Sequence, residues 1–279
     1  MARHDLCAVT QWITAAVQEH GQGLPEHVMA RLGISRRSAL ALLNKLVAAQ
    51  WLAREGKSRR SSFVPGSLRQ VVQRYALAGL QEGLPWQHDF APHFSLPPAL
   101  ARMAQHAFSE LLNNAIDHSG GTHVAVSMRT TALHLQLLVS DDGCGVFERI
   151  QQSFEIGDPA TAMLELSKGK LTSAPDSHAG HGLFFTSRLA DVFDLHANHR
   201  AFQYRGWDPH SWHPTKALAR DGTSIYIAIN LDTPRTLGQV LNAHSHSGEG
   251  HGFESTGVPL QPTTRPHTGP ESRDHAKRM

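Results

Sequence analysis

Glu110, Asn114 and Asp117 fall at spacings of four and three residues within Glu110-Leu111-Leu112-Asn113-Asn114-Ala115-Ile116-Asp117-His118-Ser119. On an α-helix such spacings bring side chains onto one face, one turn above the other. The same stretch carries Phe108, Leu111, Leu112, Ala115 and Ile116, an apolar set that lets one side of the helix be buried. A carboxylate, a carboxamide and a second carboxylate therefore line a stripe beside a core. Taken alone, that stripe reads equally well as a solvated face. Three signals follow it along the chain. An expected strand over 133–140 runs into Asp141-Asp142-Gly143-Cys144-Gly145. Gly180-His181-Gly182-Leu183 precedes a helical pattern over 184–193, and Gly222-Thr223 opens a last strand through residue 230. The pattern Gly-x-x-x-x-Gly-Lys-Ser/Thr is absent, so these glycine turns are not a P-loop.

Glu-x-x-x-Asn, Asp-x-Gly-x-Gly, Gly-x-Gly-Leu and Gly-Thr, in that order over 96–232, resemble the GHKL superfamily of gyrase, heat-shock chaperone, histidine kinase and mismatch-repair ATPases. The resemblance implies an ATP site between the organising helix and a lid. Asn114 would give a carboxamide oxygen to Mg²⁺, a hard cation that takes oxygen ligands. Asp141 would accept from the adenine amino group, with Thr223 bonding Asp141 or a water and Asp117 in the same region. Gly143 and Gly145 would let the backbone turn tightly against the base. Gly180, Gly182 and Leu183 would bring the start of the next helix to the phosphates, where free amides and the helix dipole favour negative charge. Lys168 and Lys170 sit in the lid and could reach phosphates or simply be solvated. Glu110 is the position that separates sub-classes. Histidine kinases carry Asn there, whereas gyrase-type ATPases and anti-sigma-factor serine kinases carry Glu as a general base. No His-Glu/Asp-x-x-x-Pro phosphoacceptor hairpin precedes the domain. The stretch from Gly180 to Asp191 looks closest to the anti-sigma branch, although the 34 residues between Gly145 and Gly180 make a long lid for it.

The elements upstream are of another kind. Residues 12–19, 24–32 and 36–50 read as three helices, broken at Gly21-Gln22-Gly23 and Gly33, with Ser35 as the N-cap of the third. Two short strands, 51–54 and 62–64, flank the basic turn Glu55-Gly56-Lys57-Ser58-Arg59-Arg60. Three helices and a basic ribbon over 1–66 look like a winged helix-turn-helix. In that family the third helix enters the major groove, which implies Arg36, Arg37, Ser38 and Lys45 at the bases and Lys57, Arg59 and Arg60 on phosphates. Such modules also dock proteins, their charges then being merely solvated.

Charge supports the division. Residues 1–75 hold 11 Lys and Arg against 4 Asp and Glu, while the whole chain of 279 residues is only +2. A basic module on a mildly acidic one suggests a polyanion partner for the first. Cys7 and Cys144 are the only cysteines, which excludes a disulfide framework and a four-cysteine zinc site. The chain has no run of 18 apolar residues and no signal-peptide stretch, so a cytoplasmic protein without a membrane partner is expected. Residues 67–80 look like a connecting helix, 81–95 an irregular linker, and 233–279 a short helix followed by a mostly disordered tail.

The expected fold is α+β, a GHKL (Bergerat) α/β sandwich with a mixed sheet plus a small N-terminal winged helix-turn-helix. The expected function is an ATP-binding transcriptional regulator that hydrolyses ATP or phosphorylates Ser/Thr. ATP and Mg²⁺ are its cofactors. Double-stranded DNA, a protein phosphoacceptor and a second copy in a homodimer are its candidate partners. ATP with Mg²⁺ is expected to order the lid and shift the placement of the basic modules. The alternatives are a serine/threonine kinase whose first module docks a protein, and a nucleotide sensor without turnover.

Overall fold

The computed structural model describes residues 5–56, 62–154, 158, 161–162 and 182–244. Two hydrophobic cores form. The first gathers Val9, Ile13, Val17, Leu24, Val28, Leu43, Leu46, Leu52 and Phe63 from helices α1 (Leu6–Thr10), α2 (Ile13–His20), α3 (Leu24–Leu32) and α4 (Arg36–Ala48) and from the hairpin β1 (Leu52–Glu55)–β2 (Ser62–Pro65). Gly33 stops α3 in the left-handed conformation at φ 63°, and the Ser35 hydroxyl accepts the Ser38 amide to start α4.

The second core lies under a seven-stranded sheet of order β3-β4-β5-β9-β6-β7-β8. Its strands are β3 (Arg69–Ala76), β4 (His123–Thr130), β5 (His134–Asp141), β6 (Val192–Ala197), β7 (Arg200–Arg205), β8 (Asp208–Pro214) and β9 (Thr223–Asn230). Alternate residues Val124, Val126, Met128, Leu135, Leu137, Val139, Ile225, Ile227 and Ile229 face α5 (Pro98–His118), as the two-residue period of a strand requires. Helix α6 (Val146–Phe154) follows β5, α7 (Gly182–Leu189) packs on α5, and α8 (Leu237–Ala243) packs on α7. Among the described residues, no helix is long and apolar enough to cross a membrane.

Three expectations are corrected. Every pairing in the large sheet is antiparallel, so it is not mixed. The segment 67–80 is no connecting helix: its core is strand β3, paired along its length with β4. Leu68, Val71, Val72 and Tyr75 fit a helical period, but the β-branched pair and the hydrogen bonds offered by β4 decide for a strand. Likewise the helix expected over 184–193 stops at Leu189, and Phe193 belongs to β6.

The N-terminal helices close the outer edge of β3. The Gln70 amide donates to the Thr14 hydroxyl at 3.1 Å, and Gln18 donates to the Pro92 carbonyl at 3.2 Å. The Arg129 guanidinium lies 5.2 Å over the Trp51 ring. An edge that would otherwise template another chain is thereby covered.

Candidate nucleotide site

The site is assembled at one end of the sheet. Helix α5 starts behind Pro97 and Pro98 and buries Leu100, Met103, Ala104, Ala107, Phe108, Leu111, Leu112 and Ala115, which turns Glu110 and Asn114 towards α7 and the loops. The Asn114 side-chain Nδ2 donates to the Glu110 carbonyl at 2.7 Å, which directs its Oδ1 away from the helix. The fit between α5 and α7 is tight at Gly182, where a Cβ would run into the Glu110 carboxylate. Glu110 therefore lies against the first residue of α7. Asp117, a turn beyond Asn114, is exposed. Leu183 is buried in the core behind Gly182.

The exit of α5 fits into the Asp-x-Gly-x-Gly loop. Ser119 donates its hydroxyl to the Ala115 carbonyl at 2.5 Å and accepts the Gly121 amide at 3.0 Å. Its carbonyl takes the Cys144 amide at 2.9 Å, and a Cβ on Gly143 would collide with that carbonyl. Gly145 sits at φ 86°, a left-handed conformation that favours glycine. Asp142 serves the scaffold. Its carboxylate accepts the His123 amide at 2.8 Å, and the hydroxyl and amide of Thr122 at 2.8 and 2.7 Å. Those donors hold it well below the usual carboxylate range.

Asp141 ends β5 with only 6% of its surface exposed. One carboxylate oxygen accepts the Gly143 amide at 2.9 Å and the Thr223 amide at 3.1 Å. Burial pushes its pKa up, opposed by those two amides and by the charge of Arg220. Thr223 thus bonds Asp141 through its backbone, while its hydroxyl accepts the first amide of α6, that of Val146, at 3.0 Å. Glu110, Asn114 and Gly182 thus form one cluster where α5 meets α7, and Asp141, Gly143 and Thr223 another at the exit of β5, beside Gly145. Lys170, Gly180, Lys168 and His181 lie outside the described residues.

Two contributors were invisible as motifs. Asn198, in the β6–β7 turn at φ 50°, accepts the Gly222 amide and donates to the Cys144 carbonyl, both at 2.9 Å. Its place in a tight turn between two strands is a signal for positive φ, but not for those partners. Arg220 donates to the Asp141 carbonyl at 2.6 Å and the Ser224 hydroxyl at 2.9 Å, and to Ser140. Nothing in its sequence neighbourhood marks it.

On the N-terminal module, Arg37 and Lys45 are exposed on α4. Arg36 pairs with Glu26 at 2.8 Å, and Ser38 is engaged with Ser35 in the helix cap. Arg54, not singled out from sequence, is exposed on β1 and donates to Asn44 on α4 at 2.6 Å. Lys57, Arg59 and Arg60 lie outside the described residues.

A solved structure titled as the N-terminal domain of a DNA repair protein matches 49% of this chain and 42% of that chain, at 11% identity and a TM-score of 0.24. No curated protein gives a significant match. Residues 99–233 match the model of the histidine kinase-, DNA gyrase B- and HSP90-like ATPases, a span that runs from the start of α5 past the end of β9. Those residues are a domain of that ATP-binding family.

Proposed function

We propose that the protein is an ATP-hydrolysing regulator whose N-terminal module is a winged helix that binds double-stranded DNA. The observation that carries the enzymatic half is the contact of Glu110 with Gly182, a carboxylate held at the start of α7 with Asn114 one turn along α5. ATP and Mg²⁺ suit the residues present. Asn114, its Nδ2 donating to the Glu110 carbonyl, offers the oxygen donor a hard cation takes. Mg²⁺ bound there would neutralise phosphate charge. Asp141 is a buried acceptor for the adenine amino group, and the missing Cβ of Gly182 lets the Glu110 carboxylate approach the start of α7. Glu110 removes a proton from water as the water oxygen bonds to the γ-phosphorus. The bond to the β–γ bridging oxygen breaks, and ADP leaves with its electron pair. A protein hydroxyl in place of water would make the same site a serine/threonine kinase.

Arg37, Lys45 and Arg54 support the DNA half, with Lys57, Arg59 and Arg60 extending the basic surface by sequence. The Arg36–Glu26 pair is exposed on both sides, so little opposes exchanging Glu26 for a phosphate. The test is ATP hydrolysis with Mg²⁺ beside Glu110→Ala, nucleotide binding by both, and DNA binding across salt with Arg37→Ala/Lys45→Ala. Glu110→Ala should bind ATP and release no phosphate, and the basic variant should lose DNA affinity with a shallower salt slope. ATP binding without release by the wild type would assign a nucleotide sensor or a kinase awaiting its phosphoacceptor. DNA affinity indifferent to Arg37 and Lys45 would assign the module to a protein partner, and absence of ATP binding would refute the whole reading.

A further inference from the structure

We propose that Asn198 is a positioning residue for adenine recognition, a staple that holds the two loops flanking Asp141 in register. The inference rests on the reading of Asp141 as the adenine acceptor. The Asp141 carboxylate and the Thr223 backbone come from different strands, β5 and β9, whose ends emerge side by side. Each end continues into a glycine turn, Gly143-Cys144-Gly145 on one side and Gly222 on the other. Turns of that kind hold a fixed geometry only when something outside them ties them. Asn198 is that tie. Its Oδ1 accepts the Gly222 amide at 2.9 Å, its Nδ2 donates to the Cys144 carbonyl at 2.9 Å, and its own amide donates to the Gly222 carbonyl at 3.1 Å.

The requirement for asparagine is chemical. One acceptor and one donor must leave the same side chain in opposed directions, which a carboxamide supplies and a carboxylate does not. The residue must also sit at φ 50°, where Asn is among the few non-glycine residues that are readily accommodated. Arg220 grips the same strand ends from the helix-free face, through the Asp141 carbonyl and the hydroxyls of Ser140 and Ser224, whose oxygens are themselves 2.5 Å apart. The bonds of both side chains fall at the Asp141 end of β5 and β9. Losing the staple should loosen the adenine end and leave the phosphate end as it was.

The test compares ATP with purine riboside triphosphate, which lacks only the amino group that Asp141 would accept. A hydrogen bond to an ionised group corresponds to a preference of roughly 10- to 150-fold for ATP in the wild type. Asn198→Gly keeps the left-handed backbone and removes both side-chain bonds, so it is the primary variant. Arg220→Met is the second, should the first fail to fold. The expected result is that either variant shrinks the preference towards parity while purine riboside triphosphate binds as in the wild type. A preference that survives unchanged overturns the proposal, and so does equal weakening of both nucleotides, the mark of a purely structural role. A wild type with no preference removes the adenine reading of Asp141 and this inference with it. Rescue of the preference by Asn198→Asp would also overturn it, since the carboxylate cannot donate to the Cys144 carbonyl.

Discussion

Gly182→Ala is the substitution that most directly separates folding from chemistry. A Cβ built there would stand 3.0 Å from the carboxyl carbon of Glu110 and 3.5 Å from its Cβ, and would overlap the near carboxylate oxygen. Carbon atoms at rest prefer about 3.5–4.0 Å, so the carboxyl group must retreat by at least roughly 0.5 Å, and its oxygen by about 1 Å. The obstacle is the far end of a flexible side chain, so Glu110 gives way and the fold does not. Gly182 opens a helix and has no left-handed φ, so alanine adds no backbone strain and stabilises by up to about 1 kcal/mol. A displacement of about 1 Å at a catalytic group costs on the order of 100-fold in rate. The expected outcome is phosphate release lowered by about that factor, ATP affinity little changed, and a melting temperature equal to or above the wild type's. Steady-state phosphate release, nucleotide titration and a thermal melt measure the three. Turnover near the wild-type rate in a variant that melts normally would refute the placement of Glu110 as the base. A collapsed melting temperature would refute the claim that Glu110 yields.

Asp141 gives a pH prediction with two signs. Burial raises its folded pKa above the ordinary carboxylate value of about 3.9, so ATP affinity should be lost, as pH falls, earlier than a solvated Asp would allow. A raised folded pKa also means that its contribution to stability is fully present below the unfolded pKa and is lost as pH rises through the folded one. Asp141→Asn should therefore melt no lower than the wild type at neutral pH while binding ATP at least about 10-fold more weakly, as removal of a charged acceptor implies. Melting and titration across pH check both, and tight ATP binding by Asp141→Asn would refute the assignment. Gly143→Ala should lose about 1–3 kcal/mol in denaturant melts, because its Cβ meets the backbone carbonyl of Ser119, which cannot rotate away as Glu110 can. Thr14→Val should cost about 1 kcal/mol by leaving the Gln70 amide without its acceptor, and amide exchange at Gln70 should quicken.

What the sequence made legible follows the range over which each residue acts. Helix α5 could be read because its burial pattern and its polar stripe are both periodic within one element. The α3 and β9 spans were equally local, set by Gly33 and by Gly222-Thr223. Strand β3 was misread because its apolar residues satisfy a helical template, and only pairing with β4, some 50 residues away, overrides it. At the candidate site, the motif residues stand out in the sequence, but the side chains that hold them do not. Asn198 acts on Cys144 and Gly222, and Arg220 on Ser140 and Asp141, across gaps no window spans. Asp142 stands inside the recognisable motif and yet bonds backward to Thr122 and His123 rather than forward to the site.

The docking of the first module on β3 constrains how a nucleotide could act on it. A connecting helix and an irregular linker were expected between the two modules, and a joint of that kind would let ATP change their relative placement at little cost. Instead the covalent joint runs through β3, a strand of the ATPase sheet itself, and the far side of that strand is bonded to α2. Undocking would break the Thr14–Gln70 bond, the Gln18 contact with the Pro92 carbonyl and the Arg129–Trp51 stack. At about 0.5–1.5 kcal/mol for each hydrogen bond and 0.5–1 for the stack, the sum is roughly 1.5–4 kcal/mol before the edge of β3 is exposed. Reversing a strongly biased two-state equilibrium takes about 5.5 kcal/mol of differential ligand affinity. ATP would have to favour an undocked form by most of that amount, although its proposed site stands on β5, β9 and α5, none of which supplies a residue to these contacts. A module that moves with the sheet as one body is the cheaper arrangement.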